Sequence, residues 1–359
     1  MQQIQHMRLY LRPTQETIGT LHDQQTAFGS MNFSAQELLN PDLAFIQHPN
    51  LKTSGWKNQL KKMNLDQFKN ISFFDLGEFE GQDSIQMAQT TAFLLEKGIT
   101  PIIVGADKSF YRSISSYFLN KVHPFSVSWI KPGVSDDDLD TWDDVITLKD
   151  IYLIGLQRHI TDTTKTGAFG ARTHFTYLSE LRKSTNNAEP WLRRSDIIAI
   201  DPKAIRRSDF PAFDHCLPSG LFSEEAASLA RMAGSSERNL LFITEQWDIA
   251  QPSEEAFCDF GIAQLIWYFM EGYALKQMDR DNQLRAITEY IVDEEELQTE
   301  ICFCKSELTG KWWFKDPQSL GNDKSALIPC TYEEYIQTIN SQTPERIASI
   351  FRQNSFQAY

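Results

Sequence analysis

The sequence predicts an α/β fold: a mainly parallel sheet covered by helices on both faces, followed by a C-terminal extension of different character. Three observations carry this reading. Short β-branched runs alternate with helical stretches from residue 71 to 276, the pattern of βαβ units. Several of those runs are continuously apolar, as strands buried on both faces are. After residue 276 the alternation stops and a hairpin pattern rich in Cys and Trp replaces it. The chain divides accordingly into residues 1–276, of which 1–70 are loop-rich, and residues 277–359, a hairpin-plus-helix extension expected to dock on the core.

Composition narrows the function classes. Hydrophobic residues make up 41% of the 359 and charged residues 23%, as in a soluble globular protein. The net charge of −14 argues against nucleic acid or an anionic membrane surface as partner, because phosphate binding wants a basic face. No stretch approaches the roughly 20 apolar residues of a membrane span. The first residues carry no basic-then-apolar signal pattern. Five cysteines, an odd number without framework spacing, point to a reducing, cytoplasmic location.

Taken in order, residues 1–70 give loops with short helical pieces, punctuated at Asn40-Pro41 and Thr53-Ser54-Gly55. Ile71 to Glu78 is the first strand. Asp83 or Ser84 then caps a helix with Ile85, Ala88, Ala92 and Leu95 on one face. Pro101 to Val104 is a buried strand that stops at Gly105, where Asp107 and Ser109 can cap a helix starting near Phe110. Phe125–Ile130, Asp150–Gly155, Asp196–Asp201 and Asn239–Glu245 read as further strands, with 161–175 as a loop. Ser223 is a candidate N-cap followed by two acids in the first turn. A long apolar helix runs from about Glu254 to Lys276. In the extension, Glu300–Lys305 and Lys311–Phe314 flank a Thr309-Gly310 turn and read as a hairpin. Thr343-Pro344-Glu345 starts a final helix.

The strand ends carry the functional signal, since ligands in open α/β sheets bind beyond the carboxyl ends of strands. Gly105-Ala106-Asp107-Lys108-Ser109 resembles the Gly-Gly-Asp-His-Ser motif of the ureohydrolase family (arginase, agmatinase, formimidoylglutamase). Asp75-Leu76-Gly77-Glu78 resembles that family's Asp-x-Gly-Asp segment. Pro218-Ser219-Gly220-Leu221-Phe222-Ser223-Glu224-Glu225-Ala226 is similar to its Pro-x-Gly-Leu-Ser/Thr-x-x-Glu-Ala run. The resemblance spans roughly residues 71–276. It implies a three-layer α/β/α sandwich of the arginase type, two manganese ions that bridge a hydroxide, and hydrolysis of a linear amidine or guanidine. It also implies trimeric or hexameric assembly, hence a possible homo-oligomer.

The same resemblance places six metal-ligand positions at Lys108, Lys131, Gly133, Ser135, Asp201 and Lys203, and a substrate-contacting glutamate at Glu245. Only Asp201 keeps a ligand residue. A protonated ammonium offers a metal no lone pair. The expectation is therefore a ureohydrolase-like protein without the dimanganese centre and with no cofactor. Its role would be binding or scaffolding for a small molecule or protein partner that the sequence does not identify. Lys108, Lys131 and Lys203 would pair with Asp201, Glu245 and nearby acids as structural cations. Two alternatives stand beside it. One is a manganese-dependent C–N hydrolase whose ligands lie elsewhere; the other is a metal-free enzyme with a lysine base or nucleophile.

Other candidates are weaker. The run Asp136-Asp137-Asp138-Leu139-Asp140 reads as a solvated turn. His123, His159, His174 and His215 lack paired ligand spacing, although His215 and its neighbour Asp214 lie near the 201–203 stretch. Cys302 and Cys304 share a strand face with Cys330 farther on, and read as buried packing, because a zinc site wants a fourth ligand.

Overall fold

The structure is a computed structural model. It describes residues 11–12, 41–79, 84–119, 124–135, 138, 148–161, 172–212, 217–249, 252–282, 287–317 and 327–355. The chain forms two compact units, Met1–Ala274 and Leu275–Tyr359.

The first unit is built on a nine-stranded sheet. Its strands are β1 (Leu11–Arg12), β2 (Leu43–Gln47), β3 (Phe73–Phe79), β4 (Thr100–Ala106), β5 (Phe125–Ile130), β6 (Leu148–Leu156), β7 (Thr173–Tyr177), β8 (Ile197–Ile200) and β9 (Leu241–Glu245). They lie in the order β1-β3-β2-β4-β9-β8-β5-β6-β7. Eight are parallel, and β1 pairs antiparallel with β3 at the edge.

Side chains alternate across each strand, so one strand feeds two cores. Ile102 and Val104 join Ile198, Ile200 and Phe242 on one face, packed with Leu265, Ile266 and Phe269 of the helix Pro252–Asn282. Ile103 joins Ile197, Ala199 and Ile243 on the other, with Met87, Leu94, Phe110 and Ile114 from the helices Ser84–Glu96 and Lys108–Leu119. This is the predicted covered sheet. No helix among the described residues is long and apolar enough to cross a membrane.

Several local expectations are corrected. Leu43–Gln47, inside the loop-rich N-terminal part, is a fully buried strand between β3 and β4. The helix Gly55–Lys62 begins in the Thr53-Ser54-Gly55 run read as a loop. Thr173–Tyr177 is a strand rather than loop. Ser223 is the first residue of its helix, not the cap: Glu225 accepts from the Phe222 N–H at 2.7 Å and closes the helix start instead. Asp107 does cap its helix, since the Phe110 N–H donates to its Oδ1 at 3.1 Å. Asp83, Asp136, Asp137, Asp140, His123, Asp214 and His215 lie outside the described residues.

The second unit is more than a hairpin. β10 (Ile287–Glu294), β11 (Thr299–Ser306), β12 (Trp312–Lys315) and β13 (Leu327–Cys330) form an antiparallel sheet in that order. The expected turn is present, with Gly310 at φ +72°. One sheet face packs Ile301, Phe303, Trp312 and Phe314 against Ile347 and Phe351 of the final helix, Glu345–Ser355. A further helix, Tyr332–Ile339, is closed by a reciprocal cap. Thr331 Oγ1 accepts from the Glu334 N–H, and Glu334 accepts from the Thr331 N–H. Thr343, the expected cap of the last helix, instead donates its hydroxyl to Glu294 at 2.9 Å.

Candidate functional site

Four neighbouring strands, β4, β9, β8 and β5, end side by side and deliver the implicated residues. Lys108 follows β4, Glu245 ends β9, Asp201 and Lys203 follow β8, and Lys131, Gly133 and Ser135 follow β5. Gly105, within β4, marks the register shift between Val104 and Ala106, just before the chain leaves the sheet. It sits at φ +82°, and a Cβ there would come within 2.9 Å of the Leu51 side chain.

The centre of the cluster is an acid that the sequence reading set aside. Asp138 is buried, not solvated as expected of its run. Its Oδ2 lies 2.9 Å from Lys131 Nζ and accepts from the Ser135 N–H and hydroxyl at 2.9 and 2.8 Å. Its Oδ1 lies 3.1 Å from Lys108 Nζ. Burial alone would raise the Asp138 pKa, but Lys131 and the Ser135 donors outweigh it and bring the carboxyl down to about 2.

Lys131 is 5% exposed and also stands over the Trp129 ring, 3.9 Å from its centroid. Lys108, by contrast, is half exposed. Asp201 is buried and accepts from the Lys203 backbone N–H at 2.9 Å, while the Lys203 side chain is only partly buried. Burial raises the Asp201 pKa against the pull of Lys131 and Lys203.

Glu245 completes the group. Its Oε1 accepts from Tyr111 Oη at 3.0 Å and from Trp129 Nε1. Burial, then the charge of Asp201, push its pKa up to about 7 against the opposing pull of Lys131. Tyr111 is itself held neutral, its pKa raised by burial and by Glu245. Neither aromatic was singled out from the sequence, because nothing local ties a Tyr or a Trp to an acid so distant along the chain. The one available signal was Trp129 two residues before Lys131, on the same side of the chain.

The pH dependence of this group has a definite sign. The folded chain keeps the Glu245 proton up to about pH 7, whereas the unfolded chain releases it near the ordinary value of 4.5. Stability from this group therefore falls as pH rises from 4.5 to about 7 and is level above. Asp138 acts oppositely: its contribution is complete above 3.8 and is lost as pH falls towards about 2. Glu245→Gln is expected to flatten the neutral-side decline in urea midpoint and leave the acid limb in place. An unchanged slope between pH 4.5 and 7 would contradict this assignment.

The histidines do not assemble here. His159 is exposed, and His174 pairs with Asp150 at 3.1 Å on the far side of the sheet order. A histidine that the sequence reading missed, His48, is buried beside the β4 turn, 3.8 Å from Asp107. Burial lowers its pKa although Asp107 opposes this.

The donor set does not fit two divalent cations. Asp138 already receives two ammonium groups and two Ser135 donors. Lys108, Lys131 and Lys203 offer no lone pair while protonated. At Gly133 a Cβ would meet the Ile160 carbonyl oxygen at 2.6 Å, so no imidazole enters there without moving backbone.

No family model matches the chain, and no curated protein matches it by sequence. Solved structures do. A formiminoglutamase from Trypanosoma cruzi, determined with Mn2+, is 15% identical over 67% of this chain and 96% of that chain, with a TM-score of 0.58. The agmatine ureohydrolase of Thermoplasma volcanium is 13% identical over 70% of this chain and 98% of that one, at 0.53. The proclavaminate amidino hydrolase from Streptomyces clavuligerus is 14% identical over 65% and 92%, at 0.51. At these identities the likeness is one of fold, and the chain has the arginase-like α/β fold with a separate antiparallel sheet after it.

Proposed function

We propose that the chain is a divergent ureohydrolase-superfamily protein in which lysine ammonium groups and acids replace a dimetal centre, and that it works by binding or scaffolding rather than by amidine hydrolysis. The observation that carries this reading is the bridging of buried Asp138 by Lys131 and Lys108 at two of the implied ligand positions. A carboxylate so neutralised has little left to offer a cation. The carboxylates here are balanced by charges fixed to the chain, so the strand ends need no metal to remain folded. One further observation favours a metal-free enzyme as the second reading: Glu245, with its pKa near 7 beside a buried lysine, has the character of a general acid–base.

Elemental analysis separates these from a manganese hydrolase. After incubation with manganese and removal of excess, the purified chain is expected to hold far less than stoichiometric metal. About two tightly bound ions per chain, as a dimetal site takes, would overturn the proposal. Arginine, agmatine and formimidoylglutamate should show no turnover above a metal-only control. Turnover without metal that is lost in Glu245→Gln would favour the second reading.

A further inference from the structure

The antiparallel sheet of the second unit brings together a set of soft donors. In the β10–β11 ladder Glu289 lies opposite Cys304, and Ile291 opposite Cys302. Paired residues and residues two apart share a sheet face. Glu289, Cys302 and Cys304 therefore project together, on the face opposite the one that packs Tyr290, Phe303 and Phe314. Their donor atoms all lie within 4.8 Å of one another, the only such group of His, Cys, Asp or Glu among the described residues. Cys302 Sγ donates towards Glu289 Oε2 at 3.7 Å. Both cysteines are free thiols. Exposure is graded from Glu289, exposed, through Cys302 to Cys304, buried, so one side of the group is open to solvent and the other is dry.

We propose that Glu289, Cys302 and Cys304 form a binding site for a thiophilic divalent cation of the zinc class, with water in the fourth position. Zinc–sulfur bonds of about 2.3 Å and zinc–oxygen bonds of about 2.0–2.2 Å put neighbouring tetrahedral donors roughly 3.5–4 Å apart. The group reaches that by closing about 1 Å, within the range of small side-chain rotations. Charge also closes. Two thiolates and one carboxylate meet one divalent cation, and the remaining negative charge is matched by Lys315, whose Nζ lies 2.8 Å from Glu289 Oε1. Binding releases the two thiol protons to solvent, and no electron is transferred. Two thiolates select against manganese, magnesium and calcium, so this site is chemically distinct from the carboxylate–lysine cluster of the first unit. The fourth ligand that the sequence lacked is unnecessary when solvent reaches the carboxylate side.

The test uses the full chain, reduced and stripped of metal, titrated with cobalt(II) as the spectroscopic probe. A thiolate-to-cobalt charge-transfer band should grow to one equivalent and be displaced by zinc. Cys302→Ser and Cys304→Ser should each abolish it. Glu289→Gln should keep the band but weaken zinc binding about tenfold or more, whereas Cys258→Ser and Cys330→Ser should leave it unchanged. Should Cys304→Ser fail to fold, X-ray absorption on the zinc-loaded wild-type chain replaces it, with two sulfur neighbours expected at about 2.3 Å. Absence of the cobalt band in the wild type overturns the proposal. So do its persistence in the Cys302→Ser/Cys304→Ser double variant and a zinc shell without sulfur.

Discussion

Lys131→Met is expected to lower the stability of the chain by about 3–5 kcal/mol, the usual cost of breaking one member of a buried ion pair. The side chain removed is 6% exposed and its partner Asp138 is 7% exposed. Without Lys131, Asp138 keeps only Lys108 as a cation, on an arm half in water. Asp201 and Glu245 also lose the cation that opposes their mutual repulsion. Methionine preserves most of the volume and the contact with Trp129, so a large loss reports charge rather than packing. Lys108→Met is the internal control. Its side chain is half exposed, so water screens the attraction and a smaller loss, about 1 kcal/mol, is expected. The sequence treats Lys108, Lys131 and Lys203 alike as candidate structural cations. The structure singles out Lys131, since Lys203 meets Asp201 through its backbone and its side chain is only partly buried. Urea unfolding of the three variants orders them: Lys131→Met lowest, Lys203→Met between, Lys108→Met near wild type. Wild-type stability for Lys131→Met would remove the structural-cation account.

The sheet was legible because its strands are short, apolar and punctuated. Ile102-Ile103-Val104 is punctuated by Gly105, although the strand runs on to Ala106, and Ile197 to Ile200 ends before Asp201; each marked a position that the structure brings into one cluster. Leu43–Gln47 escaped because five residues carry too little periodicity to stand out beside Asn40-Pro41. Asp138 escaped for a different reason. Polarity alone makes it equivalent to its neighbours in an acidic run, and only the folded structure shows it against Lys131 and Ser135. Tyr111 and Trp129 were not legible as donors, because the acceptor, Glu245, lies more than a hundred residues away. In the second unit the Cys302–Cys304 spacing was visible, whereas Glu289 needed the β10 strand that the sequence reading did not find.

Lys57 and Asp75 give the sharpest test of how this fold tolerates interior charge. Their pair, Nζ to Oδ1 at 2.8 Å, joins the helix Gly55–Lys62 to β3, and neither side chain has measurable exposure. Asp75 Oδ1 also accepts from the Gly77 N–H at 2.9 Å, so the carboxylate holds the backbone within the strand as well, where Gly77 sits at φ +85°. Lys57→Met is expected to cost about 3–5 kcal/mol, because a carboxylate stays behind in a low-dielectric interior. Asp75→Asn strands the ammonium instead and should cost a similar amount. The double variant is the informative one. With Met at 57 and Asn at 75 no charge is buried, the Asn carbonyl still serves Gly77, and the desolvation cost of both ions is gone. It is therefore expected to be more stable than either single variant, so the coupling energy from the three denaturation midpoints should exceed the larger single loss, at least about 3 kcal/mol. If the double variant loses the sum of the two single losses, the pair acts through separate contacts, and Asp75 serves the Gly77 backbone rather than an interior ion pair.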